Sequence, residues 1–299
     1  MILVTGATGN FGGKAIDFLL QKGISPTNIT GLVRSNIQGT DQHLKAEELK
    51  EKGIFLKTGD YSDYESLVEA FQGIYELLFV SASGSEGFSS EYLQKNVVLA
   101  AQEAKVKHIF YTSTERKDDT EKSPFAMVAN AFIVTENLIK ESGIKYTIFR
   151  NNLYFQVLPM FLGENIVENG IFFPAGDTIG AFTSRDDQAE AASNVIINKI
   201  QHENKIYSLS NTDKVSIGDI AKIISTATGK HVTYTSPSPE VFSAAMKQAG
   251  VPEEYAGFSL VFAETIKQGG FNTDKTDLEN LLGRVPVSAE TFFTEMYSN

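Results

Sequence analysis

The amino-acid sequence predicts an α/β fold: a doubly wound parallel sheet with a smaller C-terminal α/β lobe. Three observations lead there. Short apolar runs alternate with amphipathic stretches through the first half of the chain, the pattern of a parallel sheet flanked by helices. A glycine-rich turn stands directly between the first run and the first amphipathic stretch. After Arg150 the periodicity loosens and prolines punctuate it, at 159, 174, 237, 239, 252 and 286.

Taken in order, strands are expected at residues 2–5, 29–33, 54–57, 75–81, 107–112 and 145–149, where the apolar runs stand. Helices are expected between them, at about 11–22, 40–52, 63–72, 89–104 and 127–142. In the first of these, Ala15, Phe18, Leu19 and Lys22 share one stripe, and only the lysine needs to lay its stem along apolar surface with its head in water. A further strand at 205–209 is expected to return to the main sheet. Right-handed crossovers make such a sheet doubly wound, and its ligand then sits beyond the carboxyl ends of the strands.

Composition narrows the function. The chain has 299 residues, 42% hydrophobic and 21% charged, as expected of an ordinary globular protein with a sizeable core. No apolar run approaches the roughly 20 residues that span a bilayer. The strand-like start Met1-Ile2-Leu3-Val4-Thr5 leaves no room for a targeting segment, so a cytoplasmic protein with no membrane partner is expected. A net charge of −11 disfavours generic nucleic-acid binding. With no cysteine, and with His43, His108, His202 and His231 scattered, neither a thiol nucleophile nor a metal site is expected.

The turn Gly6-Ala7-Thr8-Gly9-Asn10-Phe11-Gly12 carries the functional argument. Glycines there permit tight turning, close approach of the backbone to a diphosphate, and packing of helix on strand. The amides and positive end of the helix then hold the anion. No G-K-[ST] follows, so this is not an NTPase phosphate loop. A Rossmann domain over residues 1–152 is expected, with 183–210 returning to it, and residues 153–299 form a smaller substrate-binding lobe. Gly6, Thr8, Gly9, Asn10, Phe11 and Gly12 are the candidate dinucleotide contacts.

The second strand ends Gly31-Leu32-Val33-Arg34-Ser35. Proteins that select NAD place a carboxylate there for the ribose 2′-hydroxyl. Arg34 instead suits a 2′-phosphate, which favours NADP(H). After the third strand, Asp60 and Tyr61 could flank adenine, although an N-cap by Asp63 explains the same polar cluster equally well. After the fourth, Ser81, Ala82 and Ser83 are small enough for the chain to pass close to the nicotinamide ribose.

Short-chain dehydrogenases protonate a carbonyl with a tyrosine followed four residues later by lysine. None of the 11 tyrosines has that lysine. The helix where the pair would sit contains Phe132 and Thr135, and its Glu136, Lys140 and Glu141 are expected on a solvated face. Ser113, at the auxiliary serine's place, is no acid by itself, so no catalytic side chain is assigned. Hydride can still pass to an acceptor for which positioning is the main requirement.

Taken together, Met1 to Gly12, Gly31-Leu32-Val33-Arg34, Gly59-Asp60-Tyr61, residues 107–113, Tyr146 to Asn151 and residues 202–205 resemble the NmrA-like family of atypical short-chain dehydrogenases, and within it the branch that reduces quinones and triphenylmethane dyes. The resemblance runs nearly end to end. It implies NADPH as electron donor and a flat quinone or dye held in a cleft between the Rossmann domain and the small lobe. It implies further that Asn151 and Arg185 reach the cofactor, and that Asn152, Tyr154 and Phe155 border the acceptor. An N-cap by Ser184 or Asp186 explains the segment around Arg185 as well. Phe132, Tyr154, Phe155, Phe172 and Phe173 could line an aromatic acceptor pocket, but aromatic residues this frequent are more often simply core. Relatives in that branch carry a histidine near the position of Phe132, which this chain lacks. The competing readings are a dinucleotide redox sensor acting through a protein partner, and reduction of another substrate, as in isoflavone-reductase-like relatives. Oligomeric state is left open.

Overall fold

The computed structural model describes residues 1–298 apart from Asn36, Ser85, Glu86 and Glu164. Among the described residues the strands are β1 (Ile2–Val4), β2 (Ile29–Val33), β3 (Phe55–Thr58), β4 (Glu76–Phe79), β5 (His108–Thr114), β6 (Lys145–Asn151), β7 (Ile171–Phe172), β8 (Lys205–Leu209) and β9 (Tyr234–Thr235). Seven form one sheet in the order β3-β2-β1-β4-β5-β6-β8, and β7 pairs with β9 separately. Val4 of β1 lies opposite Gly31 of β2 on one side and Leu78 of β4 on the other, and both pairings are parallel. Strand order therefore reverses between β1 and β4, and it is beyond the carboxyl ends at such a switch point that open α/β sheets bind ligands.

The helices are α1 (Asn10–Gln21), α2 (Asp41–Glu51), α3 (Tyr64–Phe71), α4 (Ser90–Glu103), α5 (Ala126–Glu141), α6 (Leu158–Leu162), α7 (Ile166–Asn169), α8 (Arg185–Ile197), α9 (Ile217–Thr228), α10 (Pro239–Gln248), α11 (Glu253–Lys267), α12 (Leu278–Leu282) and α13 (Ala289–Tyr297). Among the described residues no helix is long and apolar enough to cross a membrane. The expected α/β fold is what forms. β5 and β6 each run two residues past the expected ends, to Thr114 and Asn151. Those added residues are polar, so they carry no apolar signal, yet the backbone pairing continues: the amide of Glu115 donates to the carbonyl of Asn151 at 2.8 Å.

The chain divides into two compact units. The first comprises Met1–Thr114, Asn130–Arg150 and Gln188–Tyr207. Its core contains Leu3, Phe71, Leu77, Phe79, Tyr111 and Ile148, all fully buried. Phe79 and Tyr111 pack with ring centroids 4.9 Å apart, and the Tyr111 hydroxyl donates to Gln94 Oε1 at 2.5 Å. The buried phenol thus has the partner that desolvation demands.

The second unit comprises Glu115–Ala129, Asn151–Asp187 and Ser208–Asn299. Phe125 explains why the first of these segments belongs here: its ring packs edge-on to Phe262 and Phe271. α9 begins with a capping box, in which Ser216 and Asp219 satisfy each other's backbone amides, and Gly229 ends it in a left-handed conformation. Its apolar face, Ile217, Ile220 and Ile224, is buried, and α13 packs against this helix.

Candidate functional site

β1 stops at Val4 and α1 starts at Asn10, so five residues turn the chain. Gly6 has φ +58°, a left-handed conformation that side chains resist, and its carbonyl accepts the Gly9 amide at 2.8 Å. Gly12, on the first turn of α1, rests on that loop. A Cβ there would lie 2.3 Å from Gly6 O and 2.8 Å from Thr5 O, so no other residue fits without moving the backbone. Gly9 at the N-cap has no side chain to cap the helix. The first-turn amides and the positive helix end are therefore left for an anion.

Gly6, Thr8 and Gly9 line a cleft of about 230 Å³ within the first unit, together with Arg34, Asp60, Tyr61, Ser81, Ala82 and Ser83. Asn10, Phe11 and Gly12 do not line it with side chains: Phe11 is buried, and Gly12 closes the packing beneath the turn. Arg34 follows β2 and is exposed. Its guanidinium donates to Gln42 Oε1 at 3.3 Å and has no ion pair among the described residues. Beyond β4, the Ser81 amide donates to Thr112 Oγ1 at 2.8 Å, which ties the end of β4 to β5.

Two of these side chains do structural work as well. The Tyr61 hydroxyl sits between Thr5 Oγ1, at 2.5 Å, and the Val80 carbonyl, at 2.8 Å, bracing the ends of β1 and β4. Burial pushes this phenol far above its ordinary range. Asp60 Oδ1 accepts from the Ser62 amide and hydroxyl at 2.8 and 2.7 Å, while Asp63 caps α3 through the Ser66 amide. The aromatic ring on the open side of the cleft is Phe88, which is 40% exposed and stacked on Tyr92. Sequence reading missed Phe88, and Gln42 with it. A lone aromatic just before the Ser89 N-cap of α4 was the available signal.

Glu136 corrects an expectation. It does not lie on a solvated face; it is 1% exposed. Its Oε1 accepts from Ser113 Oγ at 2.7 Å and from Arg150 Nε at 3.1 Å, and its Oε2 from Arg150 Nη2 at 2.8 Å. Lys140 Nζ lies 3.5 Å away. The Ser113 proton is thus engaged by a buried carboxylate, and Arg150 balances that charge.

The remaining expected residues lie in the second unit. Asn151 Nδ2 donates to the Tyr154 hydroxyl at 3.1 Å, and the Arg185 guanidinium covers the Tyr154 ring at 4.8 Å. The Asp186 amide donates to Ser184 Oγ at 3.2 Å, which is the cap-type bond at the start of α8. Asn152 is buried and donates to Ser210 Oγ and the Phe271 carbonyl at 2.9 and 3.2 Å. Phe155, 0% exposed, packs against Phe292 and Phe293. Phe173 is buried too, against Phe242. Asn152 and Phe155 as placed hold this unit together and present no open face. Among the described residues no group of three or more His, Asp or Glu could hold a metal.

An uncapped helix end over a glycine turn, with a cation without an ion pair beyond β2, suits a dinucleotide that carries an extra phosphate. Comparison with known proteins agrees with that chemistry. The chain is 34% identical over 284 residues to quinone oxidoreductase 2 of Escherichia coli, covering 95% of this chain and 94% of that one. The crystal structure of an E. coli NADPH-dependent quinone oxidoreductase complexed with NADPH matches with a TM-score of 0.88 and 31% identity, over 99% of this chain and 100% of that one. Triphenylmethane reductase of Citrobacter sp. complexed with NADP(H) matches at 0.86 and 33%, over 97% and 98%. A model of the NmrA-like family matches residues 1–286, and the chain belongs to that family.

Proposed function

We propose that the chain is an NADPH-dependent reductase that transfers hydride to a quinone or a similar conjugated acceptor. The observation that carries this reading is the cleft at the ends of β1, β2 and β4, where a glycine turn faces Arg34 in the place of a ribose-binding carboxylate. Bound NADPH supplies the hydride. The backbone from Gly6 to Gly12 holds the diphosphate, Arg34 pairs with the 2′-phosphate, and Ser81 to Ser83 leave room for the ribose. α5 contributes no tyrosine, since Phe132 stands where one would, and the Ser113 hydroxyl is held as a hydrogen-bond donor to Glu136. The named relatives are reductases, which favours this reading over a redox sensor. It carries with it a cytoplasmic setting and, at net charge −11, no generic nucleic-acid partner.

The test is direct. Reduced-nicotinamide absorbance should fall when a soluble quinone is added to protein and NADPH, and no turnover across a panel of quinones and dyes refutes the reading. Arg34→Asp should weaken NADPH by about thirtyfold, equivalent to about 2 kcal/mol for a charge-assisted contact, with NADH much less affected. Equal losses for the two cofactors would show that Arg34 does not read the 2′-phosphate.

A further inference from the structure

Reduction of a quinone takes up a hydride and a proton, and α5 carries neither a tyrosine nor a histidine to give the proton. The second unit holds a phenol arranged as one. Tyr154 lies three residues beyond Asn151, the last residue of β6, and the carboxyl ends of such strands are where α/β sheets bind ligands. The phenolic oxygen accepts its hydrogen bond from Asn151 Nδ2, so that bond leaves the phenolic proton unused. No other hydrogen bond engages it among the described residues.

Two further features set this phenol apart from a structural one such as Tyr61, whose hydroxyl lies between two acceptors. The Arg185 guanidinium lies 4.8 Å from the Tyr154 ring centroid. Among the described residues its side chain has no hydrogen bond and no ion pair, so a full positive charge rests on the ring. Beside the phenol, Asn151 Oδ1 is buried without a partner. A buried acceptor left without a donor is costly in a folded protein, and groups of that kind gather at sites that bind or react.

We propose that Tyr154 is the acid that protonates the acceptor oxygen in quinone reduction, and that Arg185 stabilises the phenolate left behind. The inference rests on the reductase reading. The quinone oxygen becomes negative as the quinone gains the hydride and its electron pair, and the nicotinamide donor is oxidised. The O–H bond of Tyr154 breaks and the O–H bond of the quinol forms. The phenolate ring stays beneath the guanidinium until water returns a proton. Burial raises the Tyr154 pKa, while the Asn151 hydrogen bond and the Arg185 charge act the other way. The phenol therefore keeps its proton until negative charge appears on the acceptor. A phenol beside a fixed cation is the chemistry of a Tyr–Lys pair, built on a different part of the chain.

Two acceptors separate the roles. A quinone needs hydride and proton, whereas a cationic triarylmethane dye needs the hydride alone. Tyr154→Phe keeps the ring beneath Arg185, and its affinity for NADPH, read by calorimetry, should stay within about twofold of wild type. The variant should lower the ratio of quinone to dye turnover by about a hundredfold, the typical contribution of a positioned acid. In heavy water, wild-type quinone turnover should slow, and the variant should lose that isotope effect. If the wild type turns over neither acceptor, the reductase reading fails. If it turns over both and the variant slows them equally, or keeps the isotope effect, Tyr154 is not the proton donor.

Discussion

Replacing Glu136 by alanine removes a carboxylate that is 1% exposed and that accepts from Ser113 once and from Arg150 twice. The Arg150 side chain is only 26% exposed, so water reaches the abandoned guanidinium incompletely. Breaking a buried pair by deleting one partner costs about 3–5 kcal/mol, because the charge left behind is desolvated and unpaired. The partial exposure of Arg150 puts Glu136→Ala at the lower end, about 3 kcal/mol. Lys140→Ala makes the control: its ammonium is 3.5 Å from the same carboxylate and 32% exposed, so its loss should cost under about 1 kcal/mol. Urea titration of both variants, followed by circular dichroism, compares the two. A double-mutant cycle of Glu136 and Arg150 should return a coupling of about 2 kcal/mol. If Glu136→Ala unfolds within 1 kcal/mol of wild type, or costs no more than Lys140→Ala, the pair does not anchor α5 to β6 as reasoned.

Stability should also fall in mild acid, because burial lowers the His108 pKa to about 4 from an ordinary 6.5. Between those values the unfolded chain takes a proton that the folded chain refuses, so stability is lost as pH drops through that window, by about 3 kcal/mol in all. The His108 ring is stacked on Phe110 and bonded to Thr147 Oγ1 at 2.9 Å. A His108→Gln variant should show a flatter dependence of the urea midpoint on pH between 6.5 and 4, and an unchanged slope would remove His108 as the cause. Gly12→Ala should abolish NADPH binding in calorimetry, since its Cβ would meet Gly6 O at 2.3 Å and push α1 off the turn; binding at wild-type affinity would show that the packing is looser than described.

Much of the site was legible because it rests on local rules. Glycines between a strand and a helix, small residues after β4 and an arginine after β2 are constraints that a few consecutive residues impose on themselves, and the structure brings Gly6, Thr8, Gly9, Arg34 and Ser81 to one cleft. Tyr61 was legible as a cleft residue, but its hydroxyl bonds reach 56 and 19 positions away along the chain, beyond any local pattern. Phe88 was hidden for the opposite reason: a single ring in a polar stretch has no periodicity to reveal it.

The sequence by itself determined the alternation of strands and helices, their approximate ends and the glycine turn between β1 and α1, because each follows from apolar spacing and backbone freedom within a dozen residues. Only the tertiary structure decided which polar side chains are buried, and with what partners. Glu136 read as solvated and is enclosed by Ser113 and Arg150; Phe155 read either as bordering an acceptor or as core, and Phe292 and Phe293 pack against it. Burial of a charge or a ring depends on what distant segments place against it, and hydrophobic spacing carries no record of that.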